Sequence, residues 1–319
     1  MVGSRFVLQL LDKKVLKRSV LDQIKGLVCV ALLFALLNRA NGEGYAARFE
    51  ELKKQKADAQ IDALLDEWRA QKPNDPEAWI TSANYYFNKR QVMISTKSPG
   101  KGDFKLTDKK TGKQAGSISF EQDKGNTKRA ADLLQEAMTK FPNRLDIWCG
   151  LAFIFQESGD FDSELATLKR MVAYAHDHAA ELRWLKGEPL AEPADRFIAK
   201  KLHSYGLYYE EKENPEDDKR FLQIAMFGTE QFPNLPYAFN DVAQFHYVSG
   251  DKQKALEWMK KANQVDPKDT LVLMNLGNVS LKVGDSASAR KYFEEIIKVD
   301  PNGEYASEAK QALAKLKKK

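Results

Sequence analysis

The sequence predicts an all-α solenoid, a stack of helix-turn-helix units carrying one small β-hairpin-like insertion. Three observations predict it. The carboxy-terminal third superimposes on itself at a constant shift of 34 residues, apolar or small residues recur at spacings of three and four on both sides of Gly-Asp turns, and the stretch between Phe87 and Thr127 switches to strand-like alternation. Composition agrees: 43% hydrophobic and 30% charged residues, with Gly 18 and Pro 11 in 319, exclude collagenous and low-complexity chains. Two cysteines, Cys29 and Cys149, exclude a disulfide scaffold. A formal charge of +5 is too mild to argue for nucleic acid.

The amino terminus is read first. Residues 1–26 hold Arg5, Lys13, Lys14, Lys17, Arg18 and Lys25 against Asp12 and Asp22, a net of +4, and an eleven-residue apolar run, Leu27 to Leu37, follows. At about 1.5 Å per residue the run reaches roughly 16 Å, short of the ~30 Å hydrocarbon core, so it suits a signal peptide better than a crossing. Ala40-Asn41-Gly42 offers a small-x-small site for cleavage after Gly42. An uncleaved anchor over residues 20–37 has to bury Asp22 and Lys25 as well. A lipoprotein signal is disfavoured because Cys29 sits at the front of the run, and the bland alternative is a buried cytosolic helix. With the positive flank kept inside, the body is expected to be exported, to the periplasm or outside the cell, with the amino-terminal segment targeting the membrane.

The repeat is a helical hairpin. Phe239, Val242, Ala243 and His246 mark one helix face and Ala255, Met259 and Ala262 a second, with Gly250-Asp251 between them and Pro267 closing the pair. The glycine supplies the left-handed residue that ends a helix and the aspartate caps the next one. The same pattern returns as Gly284-Asp285, Ala289 and Pro301.

These residues resemble the tetratricopeptide repeat family. PEAWITSANYYF places Trp79, Ala83 and Tyr86 in the family's first-helix positions; NRLDIWCGLAFIFQESGD places Trp148, Ala152 and Phe155 there, with Gly159-Asp160 as the turn. Ala130, Leu134, Ala137 and Pro142 fill second-helix positions. Pro73, Pro142, Pro233 and Pro267 each stand six residues before Trp79, Trp148, Phe239 or Leu273. Departures are Ser280 for an aromatic, Ile296 for a small residue and His176 for a proline. The resemblance implies a right-handed superhelix over residues 43–318, after the 1–42 segment. Its pairs are 45–73, 76–142 with the insertion 88–126, 145–176, 194–233, 236–267 and 270–301, with a connector over about 177–193 and a capping helix at 304–318.

The insertion alternates Phe104, Leu106, Ile118 and Phe120 with polar residues around a turn, which predicts a hairpin. It holds nine Lys or Arg against four Asp or Glu, with Lys101, Lys105, Lys109, Lys110 and Lys113 as its candidate contact residues. Such a projection suits an anionic polymer or lipid surface; its plain reading is a solvated loop, and nucleic acid is not expected.

Catalytic constellations are lacking. His176-Asp177-His178 sends its imidazoles about 200° apart on a helix, no phosphate loop, serine elbow or HExxH occurs, and Cys149 has no histidine beside it in sequence. No metal, no cofactor and no enzymatic activity are expected. The family resemblance implies instead a concave surface lined by first helices, presenting Tyr237, Asn240, Gln244, Tyr247, Met274, Asn275 and Asn278 to a protein or peptide partner. The plain reading of these residues is ordinary helix surface. The cations that the family's chaperone-binding subset uses to clamp a carboxylate are missing from these positions. The expected function is a non-enzymatic scaffold outside the cytoplasm. The alternative is an accessory module of an envelope polysaccharide, peptidoglycan or secretion system that grips an anionic surface with residues 88–126.

Overall fold

A computed structural model describes residues 44–100, 103–109, 111–212 and 214–316. The signal or anchor segment, and Lys101 and Lys110 of the insertion, lie outside the described residues. The chain divides into two compact units at Gln71 and Lys72.

In the first unit, α1 (Tyr45–Gln55) and α2 (Asp58–Gln71) form the leading hairpin. Lys56 takes a left-handed φ of 57° and its N–H closes on the carbonyls of Leu52 and Lys53, which ends α1 within one residue. Ile61, Leu64, Leu65 and Trp68 keep helical spacing and are buried, and the Trp68 ring stacks on Tyr45 at 5.6 Å.

The second unit is a run of helical pairs in which each helix packs on the next in sequence. The pairs are α3 (Pro76–Asn88) with α4 (Lys124–Lys140), α5 (Leu145–Ser158) with α6 (Phe161–His178), α7 (Ala194–Glu210) with α8 (Pro215–Gln231), α9 (Tyr237–Val248) with α10 (Lys252–Val265), and α11 (Thr270–Lys282) with α12 (Ser286–Val299). Helix α13 (Ala306–Leu316) follows α12 and covers it, as a cap does. This is the predicted all-α helical repeat.

The predicted turn chemistry is visible atom by atom. Gly159, Gly250 and Gly284 are left-handed, with φ of 77°, 87° and 88°. The adjacent Asp160, Asp251 and Asp285 carboxylates accept from the amides of Ser163, Lys254 and Ser288 at 3.1, 3.1 and 2.9 Å. The six-residue step from proline to tryptophan also has a cause. Trp79 Nε1 donates to the Pro73 carbonyl at 3.3 Å and Trp148 Nε1 to that of Pro142 at 2.8 Å, so each indole is tied to the chain that leads into its own helix.

Small residues let paired helices touch. A Cβ on Gly277 would sit 2.3 Å from Phe293 Cε1, so the ring lies where a side chain would have been. Phe293 is fully buried with Leu273, Ala289, Ile296 and Ala309.

The insertion departs from prediction by one strand. The expected hairpin is present as β2 (Phe104–Thr107) and β3 (Gln114–Gln122), but β1 (Arg90–Ser95) pairs antiparallel with the other edge of β3, giving the order β1-β3-β2. Val92, Met93 and Ile94 are consecutive apolar residues and do not alternate, which hid the strand. Between α6 and α7 the connector makes two short 3-10 turns, Ala179–Glu181 and Leu185–Gly187. Its Arg183 is stitched to the start of α5, donating to Asn143 O at 2.8 Å and accepting from Leu145 N at 3.0 Å.

Candidate functional site

The first helices of consecutive pairs touch through side chains one repeat apart. Asn275 Nδ2 donates to Asn240 Oδ1 at 2.9 Å, joining α11 to α9. Gln244 Nε2 donates to Glu210 Oε1 at 3.2 Å, joining α9 to α7. His203 Nδ1 lies 2.8 Å from Asp241 Oδ1, a second link between the same two helices. Burial opposes charging of His203, and its bond to Asp241 and that carboxylate's charge outweigh it, so the imidazole pKa is raised. Burial also pushes the Asp241 carboxyl up, against the pull of His203. These contacts form a polar track across α7, α9 and α11. Among the described residues the Asn240 amide nitrogen and the Asn275 carbonyl oxygen have no further partner, which leaves a donor and an acceptor side by side.

The sequence-predicted groove residues fall into three groups. Asn240, Gln244 and Asn275 lie on the track, half-buried. Tyr237 is half-buried, Asn278 is exposed, and Tyr247 leans on the cluster of Ala243, Met259 and Val272 with part of its surface open. Met274 is a correction: it is 3% exposed, packed with Leu273, Phe293 and Ala309, because α13 covers the end of the stack and draws that side chain inward. It presents nothing to a ligand.

Two residues of the same face escaped sequence reasoning. Phe153 is 44% exposed and meets Phe87 edge-on at 5.7 Å, joining α5 to α3. A signal existed: Phe153 stands five residues after Trp148 as Gln244 does after Phe239, and Phe87 stands eight after Trp79 as Tyr247 does after Phe239.

The remaining polar chemistry is interior. Glu164 is fully buried, accepting from Gln156 Nε2 at 2.8 Å and from the Tyr209 hydroxyl. Gln156 also reaches the Tyr205 carbonyl at 3.3 Å, and Tyr205 OH donates to Cys149 O at 2.6 Å, so the network knits α5 and α6 to α7 where the connector interrupts the regular period. Burial pushes the Glu164 carboxyl up to about 7, against the two hydrogen bonds that favour its charged form. The Cys149 thiol, pushed up to about 12 by burial, is no nucleophile near neutral pH. His178 bonds the Tyr174 carbonyl and stacks on its ring, whereas His176 faces Phe232, so the two imidazoles serve different neighbours. No group of three or more His, Cys, Asp or Glu could hold a metal ion among the described residues.

Of the candidate basic residues, Lys105, Lys109 and Lys113 are exposed on the insertion. No helix among the described residues is long and apolar enough to cross a membrane.

Among curated proteins, none matches the chain. Similar solved structures include YrrB, a TPR protein with an unusual peptide-binding site, at 12% identity over 77% of this chain and 97% of its own, with a TM-score of 0.37. A thermophilic TPR protein of Thermus thermophilus is 14% identical over 61% of this chain and 92% of its own, with a TM-score of 0.36. The first TPR of Spaghetti (RPAP3), bound to an HSP90 peptide, is 18% identical over 38% and 90%, with a TM-score of 0.33. Family models described as tetratricopeptide repeat match residues 122–187, which take in α4, α5 and α6, and residues 271–302, which take in α11 and α12. Tetratricopeptide repeats are therefore present in this chain over those two stretches.

Proposed function

We propose that the protein is a non-enzymatic scaffold that holds a peptide segment of a partner along the first helices of its carboxy-terminal half, outside the cytoplasm. The observation that carries this reading is the polar track across α7, α9 and α11. Amide side chains on neighbouring helices are oriented by one another and keep bonding capacity for a main chain laid across them, which suits a ligand read by backbone more than by sequence. Asn278 and the open part of Tyr247 flank the track and add a polar and an aromatic contact. Export is supported by the basic flank and the Leu27 to Leu37 run.

The test is panning of a random peptide display library against residues 43–319. Enriched peptides are expected to lose binding to a protein carrying Asn240→Ala with Gln244→Ala, while its circular dichroism stays unchanged. Peptides that bind the double variant as well as the parent overturn the groove reading. Sequencing the amino terminus of the mature protein from a native envelope tests export separately, with a new terminus after Gly42 as the expected result of cleavage.

A further inference from the structure

We propose that the three-stranded sheet is a membrane-docking surface, which sets one apolar face into the interface of a bilayer containing anionic lipid. The register places Val92 opposite Phe120, and both Ile94 and Phe104 opposite Ile118, so these side chains share one face. The Phe104 and Phe120 rings meet edge-on at 5.8 Å. Val92, Phe104 and Phe120 are each 54% exposed and Ile94 is 73% exposed. The open face of an antiparallel sheet in water is ordinarily polar, and a contiguous apolar patch of this kind marks a contact surface. At one end the chain leaving β1 closes tightly over Gly116, where a Cβ would lie 2.1 Å from Ser95 O; the patch stays open beyond that crossing.

Cations border this face. Arg90 stands on it at the Gln122 end, and Lys97, Lys109 and Lys113 are exposed in the segments at its edges, while Lys105, opposite Ser117, is exposed on the other face. Among the described residues none of these five makes an ion pair, while Asp103 and Asp108 are occupied in their own turns with Gly100 and Thr111. A polyanionic chain would satisfy the lysines and leave four apolar side chains in water. A bilayer interface answers both, because apolar groups reach the acyl boundary while lysines stay among anionic headgroups. The same chain carries a basic flank before an apolar run at Leu27 to Leu37, a second membrane-directed feature. The proposal does not rest on the peptide track, and either can fail alone.

The test uses the full chain with Cys29→Ser and a nitroxide on Ile94→Cys; Cys149 is buried and does not label. Collision with an aqueous nickel complex and with oxygen is measured on phosphatidylcholine vesicles with and without phosphatidylglycerol. A second nitroxide on Gln91→Cys reports the opposite face of β1, so anchoring by the amino terminus alone cannot mimic the result. The expected outcome is a several-fold fall in nickel collision and a rise in oxygen collision at position 94 on phosphatidylglycerol vesicles, with position 91 still open to nickel. The shielding is expected to be lost when Lys97, Lys109 and Lys113 are all changed to Gln. Equal nickel access at position 94 on both vesicles overturns the proposal. So does equivalent shielding by soluble heparin without lipid, which would assign the face to a polymer.

Discussion

Between α3 and α5 the first helices meet through rings, Phe87 against Phe153, whereas between α7, α9 and α11 they meet through amides, carboxylates and an imidazole. The backbone of both regions is set by the same layer beneath: Ala83, Ala152, Ala243 and Gly277, all at helix crossings. The difference teaches that the inner layer fixes how hairpins stack and leaves the outer positions free to choose their chemistry. One end of the run of first helices is joined by rings and the other by polar side chains.

The comparison breaks first if the inner layer is disturbed. Gly277→Val forces two methyl groups into the Phe293 ring and is expected to cost about 3 kcal/mol in urea unfolding, whereas Ala243→Gly in the neighbouring pair costs about 1 kcal/mol. Equal effects of the two changes would show that the layer is not what sets the stack.

The junction between the regions should respond to pH. Glu164 has a folded-state pKa near 7, above its usual value of 4.5, so the folded form holds its proton more tightly. Stability from this group is full below about pH 4.5 and is lost as pH rises through 7, a change of roughly 3 kcal/mol at most. Glu164→Gln is expected to flatten that slope in a series of thermal melts; an unchanged slope assigns the dependence to other groups, of which His203, also raised, acts in the same direction.

Double-mutant cycles compare the outer contacts directly. Phe87→Ala with Phe153→Ala is expected to show a coupling of about 1 kcal/mol, as edge-to-face rings do. Asn240→Ala with Asn275→Ala should couple by about 0.5 kcal/mol, since an amide pair near water exchanges one hydrogen bond for another. Peptide capture is expected to follow the opposite order, falling with the asparagines and not with the phenylalanines.

Much of this architecture was legible from the spacing of a few residues. Gly250 and Gly284 gave away the turns because only a residue tolerant of left-handed φ serves there, and the Pro-to-Trp step reported a hydrogen bond from each indole to the chain leading into its helix. The site was legible in part. Repeat position alone groups Asn240, Gln244 and Asn275, but the bond between the two asparagines, and that of Gln244 to Glu210, depend on how far successive helices are offset. Met274 was misplaced because the cap that buries it, α13, lies two helices further along the chain and leaves no mark on the residue's own pattern. Glu164 gave no warning, since a carboxylate in the first turn of a helix ordinarily faces water, and only Tyr209 and Gln156, 45 and 8 residues distant, explain its burial.

The pairing of Arg90 with Gln122 has a practical consequence. Helix α3 ends at Asn88 and α4 begins at Lys124, so the sheet enters and leaves the helical stack through two adjacent backbone points. Closing so long an excursion costs little more than closing a short one, because loop entropy grows only logarithmically with length. The sheet is thus a portable graft: residues 91–121 can be exchanged for a tight turn, or for another small domain with neighbouring termini, without shifting the phase of any repeat.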